Sequence, residues 1–318
     1  MRTPEPWPLP LQPTSRTDLG RVSDEMVSTQ LRRGALLRLR RGVYVAAGAW
    51  PDDPAEQHLL LARAEVAACA DAVLCRQSAA VAWGLPSPDL RPWHVRPVAV
   101  ALPADSGYRT RTTAAEYHAL RLRTCDVERD AAGYRVTSLA RTAVDLAAGL
   151  PLPEALVILD AVTRQLCARL VPTPRRRDFT NPRLVGAARE VVADAARAAH
   201  RTGLLPAIAV AEPCRESPAE SLSAGHFRLA GLPVPVCQAA LRTPAGLRFP
   251  DFYWDEHRLI GECDGAVKYA EGSAAYLEEK VREQLFLDLD FGVVRWLAKE
   301  IYVRPGEVVA RVARRMGL

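Results

Sequence analysis

Three carboxylates interrupt two strand-like apolar runs: Asp251 in LRFPDFYW, and Glu262 with Asp264 in RLIGECDG. A short polar turn joins the runs, so the pair reads as a β-hairpin. Side chains alternate along a strand, which puts Glu262 and Asp264 on one face. A two-residue turn, Asp255-Glu256, pairs Trp254 with His257 and Asp251 with Ile260. A four-residue turn instead sets Asp251 opposite Glu262. Either register leaves Asp251 on the face of Glu262, whereas a three-residue turn sends it to the other side. Three acids on one sheet face repel one another unless a hard cation lies among them, and Mg²⁺ is the ordinary one. The competing reading is a solvated sheet face. Pro250 before Asp251 and Gly265 straight after Asp264 weigh against it, since glycine there permits a bend or a close backbone approach.

The order of residues around the acids carries a resemblance. Pro250-Asp251 followed by Glu262-Cys263-Asp264 resembles the PD-(D/E)xK nuclease signature. The nearest branch is related to very-short-patch-repair endonucleases and occurs as a C-terminal domain in actinobacterial proteins. Ser217-Pro218-Ala219-Glu220 opens a helix, and Gly231-Leu232-Pro233 with Gln238 leads into the hairpin. Lys268-Tyr269, Glu279-Lys280-Val281-Arg282-Glu283 and Val293-Val294-Arg295-Trp296 follow in the family's order. The similarity covers roughly residues 204–318. One position departs: the signature expects lysine where this chain has Asp264, which puts catalysis rather than the fold in question.

That resemblance implies a role for each residue. Asp251 and Glu262 would ligate Mg²⁺, provided the site is intact. The ion would polarise a scissile phosphate and acidify a bound water. Glu220 would lean over the sheet to hold a second ion or a water, and Asp264 would be a further ligand. Lys268 or Lys280 would stabilise developing negative charge, while Arg282 and Arg295 would contact phosphates. Outside the resemblance, Lys280 and Arg282 read as a solvated helix face. Glu220 reads equally as an acid favoured by a helix N-terminus.

The elements that carry such a site are those of an α/β, multi-domain chain. At 318 residues, two domains or three small ones are expected. A hydrophobic fraction of 49% allows a sizeable core, and the net charge of +5 is mild but built mostly from clustered arginines. Arginine grips phosphate bidentately, so its clusters matter more than the total. No apolar run is long enough to span a membrane. Seven scattered cysteines without a CxxC spacing read as reduced thiols, hence a cytoplasmic location.

The first cluster lies near the N-terminus. Residues 1–13 are proline-punctuated and read as extended or disordered. Arg16–Leu19 reads as a short helix and Gly20–Ser23 as a turn, with Ser23 capping a second helix over Asp24–Arg33. Val27 and Leu31 face inward, leaving Gln30, Arg32 and Arg33 outward. Leu37–Val45 alternates, with Gly42 at a hairpin tip that carries Arg38, Arg40 and Arg41. Helix, turn, helix and arginine-tipped hairpin over 14–50 describe a winged helix-turn-helix that binds double-stranded DNA. The run through Arg40-Arg41-Gly42-Val43-Tyr44-Val45, with SAAVAWGLP and VTSLARTAVDLA further on, resembles AbiEi-type antitoxins. These are the regulator half of type IV toxin–antitoxin pairs, and the resemblance implies a cognate nucleotidyltransferase-type toxin.

Residues 55–171 are expected to form an AbiEi-like middle domain. Its helices are read over 55–70, 76–83 and 152–166, its strands over 93–102 and 115–122, and Arg141 lies four residues before Asp145 for an ion pair. Residues 172–183, PTPRRRDFTNPR, read as a basic linker, either exposed without a role or tracking the phosphate backbone between two DNA-binding units. Residues 184–318 then form the restriction-endonuclease-like α/β domain with its lead-in helix. The leading expectation is a DNA-binding antitoxin or autorepressor carrying a nuclease-like domain. The alternatives are an active Mg²⁺-dependent DNA endonuclease in repair or phage defence, and a toxin-neutralising interaction protein.

Overall fold

The computed structural model describes residues 7–69, 71–102, 115–264, 285–286 and 288–318, and the protein is of mixed α/β class. By contacts the chain divides into two units, Met1–Leu85 with Arg91–Asp145, and Pro86–Leu90 with Leu146–Leu318. Among the described residues no helix is long and apolar enough to cross a membrane.

The first unit opens with strand β1 (Thr14–Ser15), helix α1 (Asp24–Arg32) and the hairpin β2 (Leu36–Arg40) and β3 (Val43–Ala46). Their sheet runs β1-β3-β2, all antiparallel, with α1 inserted between its two outer strands. Ser23 starts α1 by accepting the Met26 N–H at 3.2 Å, an N-cap that satisfies one orphan donor of the first turn. Gly34, at φ 68°, ends the helix, and Gly42, at φ 77°, closes the tight turn of the hairpin. Arg16–Leu19 is a turn and not the expected helix. The chain is still paired to β3 at Ser15 and reverses at Gly20, so too few residues remain to offset helix nucleation. Residues 7–13 are irregular, bending at Leu11 and Gln12, and the Pro10 carbonyl accepts from Ala46 N at 2.7 Å. Trp7 and Leu9 pack with Leu19, Val22 and Leu31 around Val27, Leu36 and Tyr44.

The rest of this unit comprises α2 (Pro54–Ala68), β4 (Val73–Leu74), α3 (Arg76–Ala82), β5 (Val98–Leu102) and β6 (Ala115–Ala119), followed by β7 (Val127–Arg129), β8 (Arg135–Thr137) and α4 (Leu139–Ala147). The mixed sheet has the order β6-β5-β4-β8-β7. The strand expected over 93–102 begins only at Val98, because Pro97 lacks the N–H that would extend the ladder. Arg141 and Asp145 form the expected ion pair, with Nε 3.0 Å from both carboxylate oxygens.

The second unit is built from α5 (Leu152–Arg169), α6 (Pro182–Ala198), α7 (Leu205–Ala209) and α8 (Pro218–Leu229). Then come β9 (Val236–Cys237), the small hairpin β10 (Leu241–Thr243) and β11 (Gly246–Arg248), β12 (Phe252–Trp254), β13 (Leu259–Asp264), β14 (Gly292–Leu297), α9 (Ala298–Val303) and α10 (Pro305–Met316). A four-stranded sheet, β14-β13-β12-β9, is parallel only between β13 and β14. The β12–β13 register pairs Phe252 with Gly261 and Trp254 with Leu259. Its connection is therefore the four-residue turn, one of the two registers that keep Asp251 level with Glu262. One sheet face buries Phe252, Trp254 and Trp296 around Phe227 of α8, with ring centroids 5.5 to 5.7 Å apart. The other face packs Ile260 and Val293 with Phe286.

Two parts of the second unit depart from expectation. Helix α5, expected in the middle domain, packs against α8. Residues 172–183, expected as a linker, are folded into this unit: Arg176–Thr180 is a 3₁₀ turn and Phe179 is buried in the core. The single apolar side chain among the basic ones decides this, because its burial anchors the turn. At the α5–α8 contact, a Cβ on Gly225 would lie 2.4 Å from Pro153 Cα. Gly225→Ala is expected to destabilise the protein by about 2 kcal/mol or more, although alanine favours helix. Urea unfolding measures this, and an unchanged midpoint would show that the two helices separate freely.

Candidate functional site

The acid site starts at the first turn of α8. Ser217 caps the helix, and its hydroxyl donates to Glu220 Oε1 at 2.7 Å; the Glu216 N–H donates to Oε2 at 2.9 Å. Glu220 is thus a helix-start acid held by local donors, as one reading of the sequence expects. It is also only 6% exposed and feels the charge of Asp251. Burial first, and then the Asp251 carboxylate, pushes Glu220 up to about 7, against the pull of its two donors.

Asp251 lies one residue before β12, so its side chain is set by hydrogen bonds as much as by the pleat. Gln238 Nε2 donates to Oδ1 at 3.1 Å, and the Cys263 N–H donates to Oδ2 at 2.9 Å. The second bond ties Asp251 to β13 at the residue between Glu262 and Asp264. Cys263 itself is a raised, protonated thiol, because burial and then the charge of Asp251 oppose the thiolate.

Glu262 and Asp264 are both buried. Asp264, expected to ligate a metal, accepts two hydrogen bonds from Arg295, from Nε and Nη2 at 2.9 Å each. Arg295, expected to contact phosphate, is therefore committed inside the sheet. The parallel register that sets Glu262 beside Arg295 lets the guanidinium fork reach Asp264 two residues along. Lys268, Lys280 and Arg282 lie outside the described residues. Among the described residues no three His, Cys, Asp or Glu side chains gather as metal ligands, so Asp251, Glu262 and Asp264 do not form the expected three-acid centre there. The charge of Asp251 is what, after burial, raises Glu220. Such a pair suits Mg²⁺, which is ordinarily held by one or two carboxylates, with water and phosphate oxygens filling its other positions.

Two residues to which the sequence assigned no place at the acids belong to this site. Gln238 has φ 54°, a left-handed conformation costly for a side-chain-bearing residue. It holds Asp251 twice, since its own N–H also donates to the Asp251 carbonyl at 3.3 Å. Arg176 donates in turn to Gln238 Oε1. The sequence offered only faint signals for either, a polar residue near the strand before Pro250-Asp251 and one arginine among three.

The arginines of the first unit fall into two groups. Arg33, Arg38 and Arg41 are exposed, with no ion-pair partner among the described residues; Arg32 is exposed and donates to Thr29 Oγ1 at 3.1 Å. Gln30 is half-buried. Arg40, expected on the DNA-facing wing, instead donates to Glu65 of α2, whose Oε2 also accepts from the Tyr117 hydroxyl at 2.6 Å. A register shift between Arg38 and Arg40 turns this side chain inward. Arg40→Ala is expected to cost about 1–2 kcal/mol by leaving Glu65 short of a donor. It should leave the salt dependence of any DNA binding intact. A reduced salt slope at an unchanged unfolding midpoint would return Arg40 to the DNA-facing set.

No family model matches this chain. It is 29% identical over 300 residues to a protein of Mycobacterium tuberculosis (strain ATCC 25618 / H37Rv) named "Uncharacterized protein Rv2248". It has the same identity to "Uncharacterized protein MT2308" of strain CDC 1551 / Oshkosh. The similarity covers 93% of this chain and 97% of each relative, so it takes in both units.

Proposed function

We propose that this is a double-stranded-DNA-binding protein of regulator type, carrying a nuclease-like acid site in its second unit. The observation that carries this reading is the exposed set Arg32, Arg33, Arg38 and Arg41, gathered at the end of α1 and along the adjoining hairpin. The sheet order β1-β3-β2 with α1 before the hairpin supports a reduced winged helix-turn-helix, its first helices replaced by turns and by the packed segment 7–13. Asp24 and Glu25 occupy the first turn of α1. Contact through the basic C-terminal end of the helix and the hairpin is therefore favoured over entry of its N-terminus into a groove. The resemblance to AbiEi-type antitoxins adds autorepression, with a nucleotidyltransferase-type toxin as partner.

A second reading, a Mg²⁺-dependent DNA endonuclease, is favoured by the buried Glu220 carboxyl lying under the charge of Asp251. Bound Mg²⁺ would supply a polarised phosphate and a more acidic water. Glu220 and Asp251 would hold it, Gln238 fixes the orientation of Asp251, and Glu220 holds a proton near neutral pH that must leave before it can act as a ligand.

Incubating the protein with supercoiled and linear DNA in Mg²⁺ or Mn²⁺, beside an Asp251→Ala, Glu262→Ala variant, separates the two. Intact but retarded DNA is the result expected for the regulator. Cleavage that the double variant loses would make the endonuclease the primary activity, and DNA that is neither shifted nor cut would end both readings.

A further inference from the structure

Of the four arginines in residues 172–183, one, Arg176, has a fixed place beside the acid site. Phe179 anchors the turn, with the Arg164 guanidinium 4.0 Å from its ring centroid. The acid of the turn, Asp178, uses a carboxylate oxygen to accept the Arg175 N–H at 2.8 Å. Arg175, Arg176 and Arg177 are exposed. Arg176 is the one directed at the acids. Its guanidinium lies 5.0 Å from the ring centroid of Phe249, two residues before Asp251, and donates to Gln238 Oε1. Gln238 Nε2 donates onward to Asp251. Two consecutive hydrogen bonds thus join a cation to the carboxylate that faces Glu220. Glu216, 3.5 Å from Arg176, is shared with Arg164 at 3.7 Å, so one carboxylate stands against two guanidinium groups.

A guanidinium presents five N–H donors in one plane, and stacking on an aromatic ring limits its rotation at little cost in hydration. Arg176 keeps 44% of its side chain exposed, so donors remain for a ligand. Gln238 accepts an unfavourable backbone conformation to hold this relay, the kind of strain that gathers at functional sites. A phosphodiester approaching Asp251 meets like charge, and a fixed cation at the rim offsets that repulsion.

We infer that Arg176 is the phosphate-holding cation of the acid site and seats a phosphodiester of duplex DNA beside Asp251. This inference rests on the DNA-binding reading above.

The test uses the full chain and a fluorescent duplex in Ca²⁺, with affinity measured across a range of salt concentrations. Arg176→Ala is expected to weaken binding about tenfold and to lower the slope of log affinity against log salt by about 0.9, the value for one phosphate contact. Arg176→Lys, which keeps the charge, should restore the slope; a loss of folding would not be rescued in this way. Arg41→Ala reports separately on the first unit. A wild-type slope in Arg176→Ala, or a lysine variant no better than alanine, overturns the inference while a weakened Arg41→Ala preserves the DNA-binding reading. A wild type that binds no duplex overturns both.

Discussion

Replacing Glu220 with glutamine is expected to stabilise the metal-free protein at pH 8 by about 3 kcal/mol and to flatten its pH dependence. The folded state holds the Glu220 proton up to about pH 7, where burial and then the charge of Asp251 oppose ionisation; the unfolded chain releases it near the ordinary glutamate value of 4.5. A raised carboxylate pKa favours the folded state at low pH. That contribution is complete below the unfolded value and is lost as pH rises through the folded one. At about 1.4 kcal/mol per unit, the full span amounts to about 3 kcal/mol at pH 8 and to under about 1 at pH 5. Glutamine keeps the local bonds, because its oxygen can accept the Glu216 N–H while its amide donates to the Ser217 hydroxyl, which is able to accept. Urea unfolding of both proteins at pH 5 and pH 8 measures the difference. Parallel pH profiles would mean that Glu220 is not held protonated and that Asp251 does not act on it. Millimolar Mg²⁺ at pH 8 should then raise the wild-type midpoint more than that of the variant, since a cation relieves a repulsion the variant lacks.

The sequence made legible what depends on neighbours along the chain. Ser23 and Ser217 each precede a helical pattern and cap the helix they announce. The β12–β13 hairpin was legible, but its turn length was left open among two, three and four residues, and the structure has four. Contacts between distant segments left no local trace. Arg40 looks like its neighbours until Glu65, from a helix 25 residues away, claims it. Asp264 reads as a third ligand until β14 brings Arg295 alongside. The stretch 172–183 shows the same limit in composition: its prolines and arginines describe an exposed linker, yet one buried phenylalanine and one capping aspartate fold it onto the second unit. For Arg40 and Asp264 the missing information is a charged partner supplied by tertiary structure, and for 172–183 it is the core that buries Phe179.

The largest expected effect on binding comes from replacing Arg32, Arg33, Arg38 and Arg41 together by alanine. All four are exposed, and none forms an ion pair among the described residues, so their removal breaks no internal pair and should shift the unfolding midpoint little. Each phosphate contact contributes about 0.9 to the salt slope, so four contacts account for about 3.6. Affinity for duplex at physiological salt should fall by on the order of a hundredfold or more, similarly for every sequence tested, because phosphate contacts position the protein without reading bases. Anisotropy titrations at several salt concentrations, paired with thermal melts, supply both readouts. A quadruple variant that binds as wild type does would remove α1 and the hairpin from any DNA interface. Whatever binding remained would then have to come from the second unit, where Arg176 stands beside the acids. A variant whose slope falls as expected, but whose residual binding still weakens on adding Arg176→Ala, would show two phosphate-binding surfaces on one chain. That combination is what a regulator with a nuclease-derived domain requires, and a simple winged-helix repressor has no use for it.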